Sequence, residues 1–228
     1  MLQAWRDASV VTHAGYIIGF PGDTYDSIMC DVERLKQELP IEFVVFFMMT
    51  PLPGSQDHLD NYLKGVPMAK EMNDYDTTRP CAEHPRMSRD ELMRAYRDAW
   101  KSFYSREHVE TILKRRKDRR QKNVARDMIW FRSAVFVEGL HPFLFGIFRI
   151  KGRKRRSPKF PTESIPVYYC RRAWDITYWT VRMIIIFIEV KYLSFKANRK
   201  KNDDYMDITI TPEPPVEKTV LSKETSTS

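Results

Sequence analysis

The first strong apolar signal in the chain is residues 14–19, AGYIIG, a run that stops at Phe20-Pro21-Gly22-Asp23. A short apolar run ended by a Pro-Gly turn predicts a buried strand entering a tight loop. Ile28, Val32, Leu35 and Leu39 then recur at helical spacing up to Pro40, with Asp23 or Thr24 placed to cap the start and Cys30 read as a packing residue. The next run, Phe43 to Met49 (FVVFFMM), is continuous, β-branched and aromatic, and ends at Thr50-Pro51-Leu52-Pro53-Gly54. It predicts a strand buried on both faces. Joined by a right-handed helical crossover, the two strands place GFPGD and TPLPG on the same sheet edge. In α/β proteins that edge carries the ligand site.

Periodicity weakens over residues 55 to 87, a polar segment that reads as a long loop, with a short helix near His58 to Lys64. Ser88-Arg89-Asp90-Glu91 is a capping box, and Met87 with Leu92 can form its hydrophobic staple, so a helix is predicted to about Ser102 or Tyr104. Two more helices are expected, at about 106 to 120 with a basic end (KRRKDRR) and at about 122 to 138 before Gly139. His141-Pro142-Phe143, an aromatic stretch to Ile150 and the basic linker KGRKRRSPKFP follow. Residues 173 to 195 combine Trp174, Trp179 and the run Met183 to Ile188 with Asp175, Arg182 and Glu189, three charges spaced seven apart. On a helix these charges share one narrow stripe, predicted to face water while the helix lies on a surface. Three charges are too many for an ordinary bilayer span. From Lys200 the chain is Pro-, Thr- and Ser-rich and expected to be disordered.

Composition changes this picture little. At 228 residues, 43% hydrophobic and 13% aromatic, the chain can bury a sizeable core. A net charge of +8 permits an anionic partner without selecting one. Cys30, Cys81 and Cys170 lie far apart, with no CxxC or CxxxCxxC spacing, which fits a reducing, cytoplasmic setting and encodes neither a zinc ribbon nor a cluster-binding loop. The first twenty residues carry Arg6, Asp7 and His13 and lack a signal-peptide pattern. His13, His58, His84, His108 and His141 show no metal-ligand spacing, and no GxSxG elbow is present. Asp57 and His58, just past a strand end, can serve in proton transfer or cap a turn.

Three spaced motifs add a resemblance. Gly15-Tyr16-Ile17-Ile18-Gly19-Phe20-Pro21-Gly22-Asp23-Thr24, then Thr50-Pro51-Leu52-Pro53-Gly54, then His141-Pro142 with Gly146-Ile147-Phe148-Arg149, resemble in order and spacing the second half of cobalamin-binding radical S-adenosylmethionine proteins. Met87-Ser88 and Ala95-Tyr96-Arg97 lie between them, and the similarity spans roughly residues 10 to 170. The resemblance implies a (β/α) barrel in which a [4Fe–4S] cluster, held by a CxxxCxxC loop, cleaves S-adenosylmethionine to a 5′-deoxyadenosyl radical. This chain begins after that loop. The family's GxIxG strand corresponds to Gly15, Ile17 and Gly19, implying contact with the adenine; the alternative is close helix–sheet packing. The family's acid stands three residues after the second glycine, whereas that place is Gly22 here and the acid is Asp23. Thr50, Pro51, Pro53 and Gly54 shape the turn after the second strand or touch substrate or cofactor through their backbone.

The expected fold class is therefore α/β: the carboxyl-terminal strands of a radical S-adenosylmethionine barrel over 1–60, loop and helical extension over 61–150, basic linker and amphipathic helix over 151–199, and a disordered tail over 200–228. The expected function is that of the carboxyl-side part of a radical enzyme, a cobalamin-dependent methyltransferase or an oxidoreductase, inactive alone and completed by an upstream half that carries the cluster and cobalamin. Two fates are open for the 173–195 helix: an anionic membrane surface, or burial against missing parts of the barrel. The rival class is a nucleic-acid- or membrane-binding module without catalysis, suggested by the basic runs at 114–122 and 151–156.

Overall fold

The computed structural model describes residues 2–116, 120–139, 141–142, 152–153 and 161–199. A short helix, α1 (Leu2–Asp7), precedes strand β1 (His13–Ile18), helix α2 (Tyr25–Glu38) and strand β2 (Phe43–Met48). The strands pair in parallel, from His13 opposite Phe43 to Ile18 opposite Met48, and form a two-stranded sheet. The expected βαβ unit is thus present, but it stands in a mostly helical molecule, and no barrel is seen among the described residues. The tail expected to be disordered lies outside the described residues, as do the aromatic stretch 143–150 and most of the basic linker.

Local chemistry explains the element ends. Thr24 caps α2: its hydroxyl accepts from the Ser27 N–H, and its own N–H donates to the Ser27 hydroxyl. Ile28 and Val32 are buried, whereas Cys30, read as a packing residue, is exposed. At 100° per residue it stands about 200° from Ile28, on the far side of the helix. Helix α3 (Gln56–Leu63) starts at Ser55, and α4 (Arg89–Phe103) at Ser88, whose hydroxyl accepts from the Glu91 N–H with Met87 and Leu92 buried beside it. Helix α5 (Arg106–Arg115) ends earlier than its basic run suggests, and α6 (Gln121–Ser133) passes into a π-helical segment, Ala134–Glu138, stopped by Gly139 in the left-handed conformation. The last helix, α7, runs from Ile165 to Arg199, longer than expected at both ends.

The outer edge of β2 is shut. The buried Tyr104 hydroxyl donates to Val44 O (2.8 Å) and accepts from Val44 N (3.1 Å), and the Tyr96 hydroxyl donates to Phe46 O. Met48 N donates to Thr77 O (2.7 Å), with Thr77 held at φ 61°. Side chains and one loop carbonyl therefore occupy the positions a further strand would need. One continuous core joins β2 to α2, α4, α5, α6 and α7, around Phe43, Phe46, Trp100, Phe103 and Met128.

The basic run at 114–116 is largely turned inward. Lys114 pairs with Glu110 (2.7 Å), and Arg115 donates to Lys36 O and Leu39 O. Arg116, only 2% exposed, faces Glu42 (3.5 Å) and donates to Ser9 O and Val10 O. The expected water-facing stripe on α7 also turns inward at Glu189. That carboxylate accepts from the buried Arg132 of α6 (2.7 Å), because a buried guanidinium needs a counter-charge more than a surface carboxylate needs water.

Candidate functional site

A parallel pair exposes alternate backbone groups on its two sides. Phe43 N donates to Thr12 O and Met49 N to Ile18 O, so the even-numbered residues of β1 serve the ladder with β2. The N–H and C=O groups of His13, Gly15 and Ile17 consequently point away from β2, to an edge on which no other described strand pairs. Their side positions lie on the face where Ile17 is 44% exposed. A Cβ on Gly15 would sit 3.4 Å from the Phe47 ring, so the glycine also answers to packing within the sheet. Gly19 adopts φ 101°, a conformation in which glycine carries no steric penalty.

Just past Ile18 the loop is bound tightly. The Asp23 carboxylate accepts from Gly19 N and Phe20 N, both at 2.9 Å, which gives this displaced acid a loop-forming role. His84 reaches across from the long loop. Its Nδ1 accepts from Arg86 N and Met87 N, which assigns the ring proton to Nε2 and makes it the donor to Phe20 O at 2.8 Å. Arg86 adds a bond to Gly22 O. The 55–87 segment is ordered by the same means, with Met68 and Ala82 bridged antiparallel and Ala69 N bonded to Cys81 O.

Between these loops, at the carboxyl ends of both strands, lies a cleft of about 700 Å³. Gly19, Pro21, Pro51 and His84 line it, with Asp57 from α3 and Lys64 just past the end of that helix. Of the seven residues singled out by sequence, Gly19 and Pro51 line this cleft, and Gly15 and Ile17 lie on the open side of β1. Thr50 is half-buried and donates to Met48 O, Pro53 is exposed, and Gly54 (φ 91°) turns into α3 beside a separate hollow of about 450 Å³. Asp57 and His58 are split: Asp57 lines the cleft, whereas His58 faces that hollow and the Tyr75 ring. His141 is buried between Phe47 and Trp100, a packing position where burial lowers its pKa. The clamp by His84 and Arg86 is the feature that sequence reading missed; the local signal is His84-Pro85, separated from the Ser88 cap by Arg86 and Met87.

The cysteines do not fit an iron–sulfur cluster. Cys30 and Cys170 are exposed on α2 and α7, and Cys81 is buried in the long loop, where burial pushes its thiol up and away from the thiolate a cluster needs. No group of three or more His, Cys, Asp or Glu suited to a metal ion occurs among the described residues. For an adenine, the β1 edge away from β2, on which no described strand pairs, offers backbone donors and acceptors beside the exposed Ile17 side chain. No family model, curated protein or solved structure matches the chain.

Proposed function

We propose that this chain supplies the carboxyl-side strands and the strand-end cleft of a radical S-adenosylmethionine enzyme, a cobalamin-dependent methyltransferase or an oxidoreductase, working in the cytoplasm. The observation that carries the reading is the edge of β1 away from β2, on which no described strand pairs. It presents the backbone of Gly15 and Ile17 and runs on to Gly19, which lines the cleft, while the far edge of the sheet is shut. An adenine laid there finds backbone hydrogen bonds and the Ile17 side chain for its ring. On this reading the cluster is carried by a separate polypeptide, since Cys30, Cys81 and Cys170, on α2, in the long loop and on α7, form no shared metal group among the described residues.

A few hydrogen bonds and one apolar contact, each about 1 kcal/mol net, give an affinity on the order of millimolar for the chain alone. Equilibrium dialysis with labelled S-adenosylmethionine tests this. Ile17→Asp is expected to weaken binding at least tenfold, and co-expression with a polypeptide carrying the CxxxCxxC loop is expected to tighten it and allow release of 5′-deoxyadenosine under strong reductant. Binding indifferent to Ile17→Asp, or a stoichiometric cluster reconstituted on this chain alone, would overturn the reading.

A further inference from the structure

Helix α7 is about 52 Å long at 1.5 Å per residue, and its inner side is committed. Ile186, Val190, Leu193 and Ala197 are buried, Glu189 binds Arg132, and Lys196 binds Glu110 at 2.9 Å. Over 186–197 the helix is therefore fixed to α5 and α6. Its opposite side holds Trp174, Val181, Ile184, Ile188, Tyr192 and Phe195, all large and all at least half exposed, with Trp174 at 71%. At 100° per residue these six fall within one arc of about 80°, centred opposite Ile186.

The charge on this side has one sign. The acids of α7 are Asp175 and Glu189, both on the inner half of the wheel and both paired, Asp175 with Arg172 at 3.2 Å. The cations of this side are Arg199, within the arc, and Lys191 at its border, whose Nζ lies 5.5 Å from the Phe187 ring on a stem long enough to reach past it. Residues 151–201 contain 14 Lys and Arg against three acids, so this segment is far more basic than the whole chain at +8.

We propose that the outward side of α7 docks on an anionic lipid bilayer, with the helix lying in the plane of the headgroups. An apolar and aromatic stripe flanked by cations, with no acid among its outward residues, is the chemistry of such a surface. A second copy of the chain is a poorer occupant, since a two-fold contact across this helix brings two strongly basic segments together. No described helix is long and apolar enough to cross a membrane, and the ion pairs from Glu189 and Lys196 hold α7 against the body rather than across a bilayer.

The test is flotation of the full chain with vesicles of phosphatidylcholine, with and without roughly one third phosphatidylglycerol. The acidic vesicles are expected to bind at least tenfold more tightly, less so as salt rises. Ile184→Glu/Ile188→Glu should weaken binding about 100-fold, since each side chain, little more than half exposed, gives up about half of a full apolar burial. Both positions are on the surface, so the circular dichroism and melting temperature should hold. Should that variant misfold, Trp174→Ala provides the same readout with a smaller loss. Four results overturn the proposal: equal binding by the variants, equal binding to neutral vesicles, and extraction by detergent but not by high salt or alkali are three. The fourth is no vesicle binding together with a dimer in sedimentation equilibrium that Ile184→Glu/Ile188→Glu dissolves, which assigns the face to a second copy.

Discussion

Replacing Glu42 by Gln isolates one buried charge. The Glu42 carboxylate accepts from Thr12 N and Thr12 Oγ1, both at 2.7 Å, and faces the Arg116 guanidinium at 3.5 Å with both side chains at most 5% exposed. Arg116 in turn donates to Ser9 O and Val10 O, so the pair ties the segment before β1, the start of β2 and the end of α5 into one knot. A glutamine keeps an acceptor for Thr12 but takes the Glu42 charge away from the buried guanidinium. Breaking a buried pair from one side costs about 3–5 kcal/mol, a large part of a typical total of 5–15. With a urea slope of about 2 kcal/mol/M, the midpoint should fall by about 1.5–2.5 M. Arg116→Met should cost a similar amount, because Glu42 then keeps its charge with Thr12 alone. The double variant should cost clearly less than the sum of the two, with a coupling of about 2 kcal/mol or more. Urea unfolding followed by circular dichroism measures all three. Single losses below 1 kcal/mol, or strict additivity, would refute the knot.

Burial, helped by the charges of Arg115 and Lys36, drops the pKa of His108 to about 3. The unfolded chain then binds a proton that the folded chain refuses between pH 6.5 and about 3. Stability should be full above pH 6.5 and decline as pH falls, and His108→Phe should lose that part of the slope in pH-dependent melting. Tyr104→Phe removes the hydroxyl that serves both Val44 N and Val44 O; we expect a loss of about 1–3 kcal/mol and faster amide exchange at Val44. Asp23→Ala strips the acceptor from Gly19 N and Phe20 N; limited proteolysis should then cut within 19–24 while the melting temperature moves little.

The β1–α2–β2 unit was legible because its signals are local: FVVFFMM can bury both faces, and Thr24 with Ile28 and Val32 marks a capped amphipathic turn. Even the exposure of Cys30 was implicit in that stripe, two residues off the Ile28 side. What was not legible depends on distant partners. The inward turn of Glu189 is decided by Arg132, 57 residues away, and the ordering of the long loop by His84 on Phe20, 64 residues away. The inward arginines of the 114–116 run likewise required carbonyls at Ser9, Val10, Lys36 and Leu39, which no charge count reveals.

The closed edge of β2 links assembly to the site. Tyr104, Tyr96 and Thr77 occupy its outward backbone groups at Val44, Phe46 and Met48, so a longer sheet built on this chain adds strands at β1. The groups a neighbouring strand would use are those of His13, Gly15 and Ile17, the same ones that an adenine would use. Strand and ligand therefore compete along β1 unless they divide it, with the strand taking the His13 end and the ligand the Ile17 end beside the cleft. Parallel pairing runs toward the cleft, so a neighbour that stops one residue pair short of Ile17 leaves its N–H and C=O for the ligand. With the β2 edge shut and no described strand on β1, an added strand and an adenine would both approach from the β1 side.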